Sequence, residues 1–364
     1  MTTVKKKAQR GLLAAVIMLP LILVFYSLAD AATRSVPIGC NEDIDQKINQ
    51  DPRGTASRFE LTADCPDPFV ASATIVPSDG DVVACAVAPR YVPRGPAFDP
   101  TTRCTVEGPG VENVFRPIGQ GGTTATVGFE GIKITGGKYT GSTGSGAGIA
   151  EGSMTNSSYH LGIEVMDNGA AGILSAKGTF DSVEFTDNTN DPDALGVIGA
   201  GLKARNEVEV KNSYVHETQG NGLWCDNYCE NSAKTTHPLP ECTTGCFWVH
   251  HNLVVNNGRA GIRFERVGDK STAGEALIEY NEVYANSLDE KRSGISVRDA
   301  QDATIRNNTF DNNARNVAII ASDSGRSSRP NLFNIDIVNN TLNGEIIKGC
   351  ELPDEVVRCA GNIP

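Results

Sequence analysis

The chain has 364 residues, 39% of them hydrophobic and 21% charged, with 38 Gly and 18 Pro. A disordered chain would hold fewer apolar and more charged residues, and Gly and Pro spread so evenly exclude a helical bundle. With 32 Lys+Arg against 44 Asp+Glu the formal charge is −12, which argues against nucleic acid as a partner, because no bulk positive charge draws it in.

Residues 1–31 read as an export signal. Lys5, Lys6, Lys7 and Arg10 form a positive n-region, residues 11–28 are uncharged and apolar, and Ala29-Asp30-Ala31 supplies a small-x-small cleavage site. Two readings stay open. Pro20 and the Ala-x-Ala ending favour a cleaved signal peptide, but about 18 apolar residues are also just enough for a membrane anchor. Both put the remainder outside the cytoplasm, secreted or at the cell surface, meeting a membrane only through residues 11–28.

Ten cysteines suit that compartment, since an even count in an exported chain reads as disulfides. Local pairing joins Cys40 to Cys65, Cys85 to Cys104 and Cys350 to Cys359. Cys225, Cys229, Cys242 and Cys246 are spaced Cys-x3-Cys-x12-Cys-x3-Cys. That spacing is loose for a zinc ribbon and export favours oxidation, so disulfides are the expectation. Nested pairs (225–246 and 229–242) would staple the loop 226–245, although sequence leaves the connectivity open.

Residues 32–124 read as an N-terminal cap and first coils, with a short helix over Asp43 to Gln50. From 125 to 348 the chain repeats. Gly-Ile or Gly-Leu pairs recur at Gly148, Gly172, Gly201, Gly222, Gly261 and Gly294, and Asn316-Val317 takes the same place; the steps are 24, 29, 21, 39, 33 and 22 residues. Between them run alternating apolar segments ending in Asn: Val208 to Asn212, Trp248 to Asn252, Leu277 to Asn281 and Ile335 to Asn339. Strict alternation with β-branched residues means strands, and a period of 20–30 residues means a solenoid. Asn at the strand ends would stack at the turns, its amides bonding from coil to coil. Residues 349–364 form a disulfide-closed tail.

On these residues the chain resembles the right-handed parallel β-helix superfamily, the pectate-lyase-like fold, and in particular its generic secreted members. The resemblance implies an all-β, single-stranded right-handed parallel β-helix with a short N-terminal cap, and it is clearest over 125–348. Chemistry-specific signatures are missing: there is no Trp-Ile-Asp-His or Arg-x-Pro-x-x-Arg, as in pectate lyases, and no Asn-Thr-Asp, Asp-Asp, His-Gly series, as in polygalacturonases. The resemblance therefore bears on fold far more than on activity.

Residues one and three after each Gly point inward, and residues two and four point outward. The first outward column reads Ala150, Leu174, Lys203, Trp224, Arg263, Ser296, Ala318, and the second Gly152, Ala176, Arg205, Asp226, Glu265, Arg298, Ile320. The middle coils are charged and aromatic, the outer ones bland. Coils stack about 4.8 Å apart, so Asp226 and Glu265 would repel and one pKa would rise. Such a pair suits glycosidic cleavage, nearer the retaining separation of about 5–5.5 Å than the wider inverting gap. If the 39-residue step hides an extra coil, the two lie two steps apart and that argument fails.

The function expected is handling of extracellular or cell-envelope polysaccharide. As an enzyme, Asp226 and Glu265 are the catalytic acid/base pair, Trp224 a stacking platform, and Lys203, Arg205, Arg263 and Arg298 substrate clamps. A lyase would instead use Lys203 or an Arg as base, with Ca²⁺ held by the acidic pair; otherwise no cofactor is expected. The rival is a non-catalytic surface protein binding glycan or protein, or a purely structural solenoid, its charges ordinary cross-strand ion pairs worth up to about 1 kcal/mol each. Other signals are weak. Gly136-Gly137-Lys138 is followed by Tyr139, so no nucleotide loop exists. The five histidines are too scattered for a metal motif, with His216 expected in a turn and His250 or His251 facing inward by alternation.

Overall fold

In the computed structural model, the alternating segments form strands whose ladders are parallel, each strand pairing with its equivalents one coil before and one coil after. The structure describes residues 34–52, 55–63, 65–87, 104–118, 127–152, 158–226, 246–265, 275–287, 293–322 and 332–364. Residues 1–33, in which an export signal is expected, residues 227–245 and the side chains of residues 205–207, 226, 246 and 275 lie outside that description.

One coil shows the plan. Cys246–His250 lies in a face called sheet 2, Leu253–Val255 in sheet 3 and Ile262–Glu265 in sheet 1. The next coil repeats it with Glu275–Glu279, Glu282–Tyr284 and Ile295–Arg298, in register at Val249–Ile278, Val254–Val283 and Phe264–Val297. The long strands Ala171–Asp181 and Ala200–Lys211 run from sheet 1 into sheet 2, so among the described residues those faces form one 19-stranded assembly beside the nine strands of sheet 3. This is a single-stranded right-handed parallel β-helix, the hand that parallel crossovers take. Its ladders begin at Arg34–Ile38 and end at Val357–Ala360.

The bore is filled by the inward columns. Sheet 1 supplies Ile149, Ile173, Leu202, Leu223, Ile262, Ile295 and Ile319, each with no exposed surface. A glycine precedes each of the first six and is required by the winding: a Cβ at Gly222 would stand 2.5 Å from the Gly261 carbonyl oxygen and 3.0 Å from the Asn257 amide. The corresponding residue of the last coils is Ala318, because Ile295 pairs with Ile319. The Asn316-Val317 assignment is therefore two residues early, and the outward residues there are Ile320 and Ser322 rather than Ala318 and Ile320. Arg315, at φ 58°, turns the chain inside the short 3-10 segment Ala314–Asn316 and absorbs the difference. Ala176 is a second correction. It pairs with Ala204 and faces inward, because Ser175 (φ 56°) bulges out of the strand.

In sheet 2 the inward column holds Phe129, His160, Phe180, Val210, Val249 and Ile278. His160 is stacked between Phe129 and Phe180 at 5.3 and 4.2 Å. Its Nε2 lies 3.1 Å from Glu151 Oε1, close enough for an ion pair but not at a hydrogen-bonding angle.

Two ladders of buried amides line the corners. Between sheets 2 and 3, Nδ2 of Asn252, Asn281, Asn308 and Asn340 each donates to Oδ1 of the next member, ending at Asn362, over 2.9–3.0 Å. Between sheets 3 and 1, Asn257, Asn286 and Asn313 do the same and end on Glu345. Asn252 and Asn281 are as expected. Asn212 and Asn339 are instead left-handed corner residues (φ 51° and 56°), and the ladder positions fall to Ser213 and Asn340.

The helix Ile44–Asn49 buries Ile44 and Ile48 in the same core, is capped by Asp43 and is tied by Asn49 to Thr74 and Val76 of the following coil. Disulfides join Cys40–Cys65, Cys85–Cys104 and Cys350–Cys359, as local pairing implied, and they fit an oxidising compartment. Cys225 is buried and also disulfide-bonded; the nested connectivity lies outside the described residues. No described helix is long and apolar enough to cross a membrane.

Two stability predictions follow from buried polar groups. Asn281 accepts from both Asn252 N and Asn252 Nδ2 and donates to Val249 O and Asn308 Oδ1. Asn281→Ala leaves those groups buried without partners, at about 1–3 kcal/mol each. Denaturant unfolding should lose several kcal/mol, where Asn212→Ala loses far less. Asp81 is buried and accepts from Ser57 N and Ser78 N; burial pushes its pKa up to about 6 against those hydrogen bonds, aided by Asp51 and Asp79. A carboxyl raised in the folded state favours folding fully below its unfolded value of about 4 and loses that contribution as pH rises through 6. Thermal midpoints across pH 4–7 should show that slope in the wild type and a flatter one in Asp81→Asn.

Candidate functional site

The outer face of sheet 1 is divided by a covering loop. Residues 190–199 fold back over it, and Ala194 and Ile198 pack on Ala147, Ala150, Ala170, Ala171 and Leu174, with Tyr139 at the edge. Ala150 and Leu174, which look bland in sequence, are therefore the floor beneath this loop. The charged part begins where the cover ends, at Lys203, whose Nζ donates to Val197 O over 2.9 Å.

From there the side chains climb one coil at a time. Lys203, Trp224 and Arg263 occupy directly opposed positions on consecutive strands. The Lys203 ammonium lies 3.9 Å from the Trp224 ring centroid and the Arg263 guanidinium carbon 4.7 Å from it. Trp224 is 3% exposed and Arg263 is buried, so the Arg263 contact is worth about 2 kcal/mol, and that of the more exposed Lys203 about 1 kcal/mol. The stacking platform expected at Trp224 is accordingly not open, because two cations cover its ring. Arg263 Nη2 then donates to Glu265 Oε2 at 2.6 Å, both side chains being buried.

Asp226 pairs with Glu265 on the neighbouring strand, so the 39-residue step is one coil plus an inserted loop and no coil is hidden. The Asp226 side chain, like that of Arg205, lies outside the described residues. The described partner of Glu265 is a cation on its own strand. Arg298 stands opposite Glu265 on the next strand, a third exposed, with Nε 3.8 Å from Asp299 Oδ2. Glu265 commits an oxygen to Arg263, and Lys203, Arg263 and Arg298 all line the face. No trio of His, Cys, Asp or Glu among the described residues is placed to hold a metal, and the Asp226 side chain of the pair expected to hold calcium lies outside them.

Two donors on this face stand out. Trp224 Nε1 and Arg263 Nε are buried, sit in adjacent rows and have no hydrogen-bond partner among the described residues. Both can only donate, so the group they suit is an acceptor oxygen.

The histidines differ from expectation. His216 lies in the strand Tyr214–His216 of sheet 3, its Nε2 3.0 Å from Glu184 Oε1, not in a turn. Neither His250 nor His251 faces the bore. Val249 points inward, His250 outward, and His251 (φ 55°) turns the corner and breaks the alternation. The surface that His250 and His251 form with Trp248 and Tyr280 has no sequence signal beyond the alternation of Trp248 and His250.

No family model and no curated protein matches the chain. Among solved structures it is similar to the A-module of the mannuronan C-5 epimerase AlgE6 of Azotobacter vinelandii, at 11% identity over 91% of this chain and 89% of that one, with a TM-score of 0.42. It is also similar to the pectate lyase Pel9A, at 12% identity over 86% and 70% of the two chains with a TM-score of 0.41. A third likeness is to the alginate lyase of Paenibacillus sp. str. FPU-7, at 13% identity over 92% and 100% with a TM-score of 0.36. What the site can do rests on its own side chains.

Proposed function

We propose that the protein is exported and handles extracellular or cell-envelope polysaccharide rich in acidic sugars, through the face of sheet 1 from Lys203 to Arg298. The observation that carries this reading is the pair of buried donors, Trp224 Nε1 and Arg263 Nε. A buried donor without a partner costs about 1–3 kcal/mol, which a sugar carboxylate or hydroxyl oxygen recovers on binding. Lys203, Arg263 and Arg298 give this face a sign opposite to the chain's −12, so an anionic glycan is attracted here against the bulk field.

In this reading Arg263 and Trp224 receive the substrate oxygen, Lys203 and Arg298 hold its carboxylates, and Asp226 with Glu265 supplies acid and base. Trp224 positions the two cations instead of stacking on a sugar. The second reading is binding without turnover. It is favoured by the 2.6 Å Arg263–Glu265 contact, which engages one of the two carboxylates needed for chemistry.

The test is the disulfide-bonded protein on polygalacturonate and alginate, with and without Ca²⁺, following new reducing ends and the absorbance of unsaturated uronates. Reducing ends alone mean a hydrolase, both signals mean a lyase, and binding with neither signal means the second reading. In all three outcomes Arg263→Lys, which keeps the ion pair but removes the Nε donor, should weaken binding about tenfold, the worth of one charge-assisted hydrogen bond. Absence of binding to both polymers would sink the proposal.

A further inference from the structure

The corner between sheets 2 and 3 turns, in each coil, through one residue in the left-handed region just before the amide ladder. In successive coils that residue is Ser182, Asn212, His251, Tyr280, Asn307 and Asn339, with φ between 51° and 59°. Asn and His tolerate this conformation, whereas the bulky Tyr is strained in it. Two consecutive coils place aromatic residues there, and the strain at Tyr280 persists because the surrounding structure holds it, as it does at ligand-binding positions. The His251 and Tyr280 rings stack at 5.2 Å and 23°, and both residues are exposed, Tyr280 by 46%.

Two more rings stand behind them on sheet 2. His250 meets His251 edge-on at 5.1 Å, and Trp248 stacks on His250 at 3.8 Å. Charged groups frame this run of four rings. Glu209 Oε1 lies 3.2 Å from His250 Nε2 and 3.1 Å from Lys211 Nζ. Glu279 accepts from Trp248 Nε1 at 3.2 Å and from Arg306 Nε at 2.7 Å. Burial alone would raise the pKa of Glu209, but the His250 hydrogen bond and the Lys211 ammonium bring it down to about 2. The ionised carboxylate holds His250 through Nε2, and His250 Nδ1 shares a hydrogen bond with His251 Nδ1, 2.9 Å away, so both rings are held in one orientation.

The charges of this frame cancel locally, Glu209 with Lys211 and Glu279 with Arg306. The surface is aromatic and rich in hydrogen-bonding groups but has no net field, unlike the cationic face of sheet 1. We propose that His251 and Tyr280, backed by Trp248 and His250, form a second glycan-binding surface, at the corner opposite sheet 1, that takes uncharged sugar rings. The C–H face of a pyranose lies on the exposed rings, and its hydroxyls meet the carboxylates and Arg306. This goes beyond the proposed function and does not depend on it.

The probes are cellohexaose, xylohexaose and mannohexaose, with hexagalacturonate as the charged comparator, titrated calorimetrically into the full disulfide-bonded chain. At least one neutral hexasaccharide should bind. The double variant His251→Asn/Tyr280→Asn places in both coils the residue that the corner uses elsewhere. It should bind at least tenfold more weakly with a thermal midpoint equal to or above wild type. Tyr280→Phe, which keeps the ring, should bind like wild type, and Arg263→Lys should leave this binding unchanged. The proposal is overturned if no neutral probe binds, if the double variant binds as well as wild type, or if hexagalacturonate alone shows the Tyr280-dependent loss. A double variant that does not fold would also overturn it, since the rings would then be structural.

Discussion

A primary amide buried at a corner must find partners for two N–H groups and a carbonyl without water, and another amide one coil away supplies a partner at a fixed spacing. Asn252, Asn281, Asn308 and Asn340 solve the problem this way, and Asn257, Asn286 and Asn313 repeat the solution at the next corner. The consequence reaches the surface. Once the corners are locked in register, the strands between them have no freedom to slip, because a one-residue shift would turn every inward Ile or Val to solvent. The outward columns are then fixed as well, and Lys203, Trp224 and Arg263 stand over one another because Leu202, Leu223 and Ile262 do so beneath them.

Given that register, the two decorated faces differ in how their charges are satisfied. On sheet 2, Glu209 is bonded to Thr179, Lys211 and His250, and Glu279 accepts from Trp248 and Arg306, all within the face. On sheet 1, Arg263 uses Nη2 on Glu265, while its Nε and the Trp224 Nε1 beside it have no partner among the described residues. Replacing a buried ion pair by apolar residues is often neutral or stabilising, so fold stability alone gives little reason for Arg263 and Glu265 beneath a face whose other half is covered by Ala194 and Ile198. A ligand that completes the hydrogen bonding gives a reason.

The sequence made the winding legible because its signals are local. Gly before Ile marks the place where a Cβ would strike the next coil, and Leu223 opposite Ile262 confirms that 39 residues make one coil plus an insertion. The misreadings come from single residues that break a period of two. Ser175 bulges and turns Ala176 inward, Arg315 takes a left-handed turn and delays the last coil by two positions, and His251 turns a corner that alternation would have carried straight through. The burial of Trp224 was not legible at all, since its surroundings come from other coils and residues far apart in the chain.

Those same corner residues show why the site could be only half seen. Alternation predicts side chains within a strand, but a left-handed residue between strands points where neither sheet's pattern reaches, and only neighbouring coils reveal what stacks there. His251 and Tyr280 are 29 residues apart in the sequence and one coil apart in space. Either alone reads as an incidental aromatic near a strand end. Seen in a column whose other members are Ser182, Asn212, Asn307 and Asn339, they are the two positions that carry rings, and at Tyr280 the backbone is strained to do so. In a solenoid the informative unit is therefore the column rather than the motif, because stacking turns residues distant in sequence into one continuous surface.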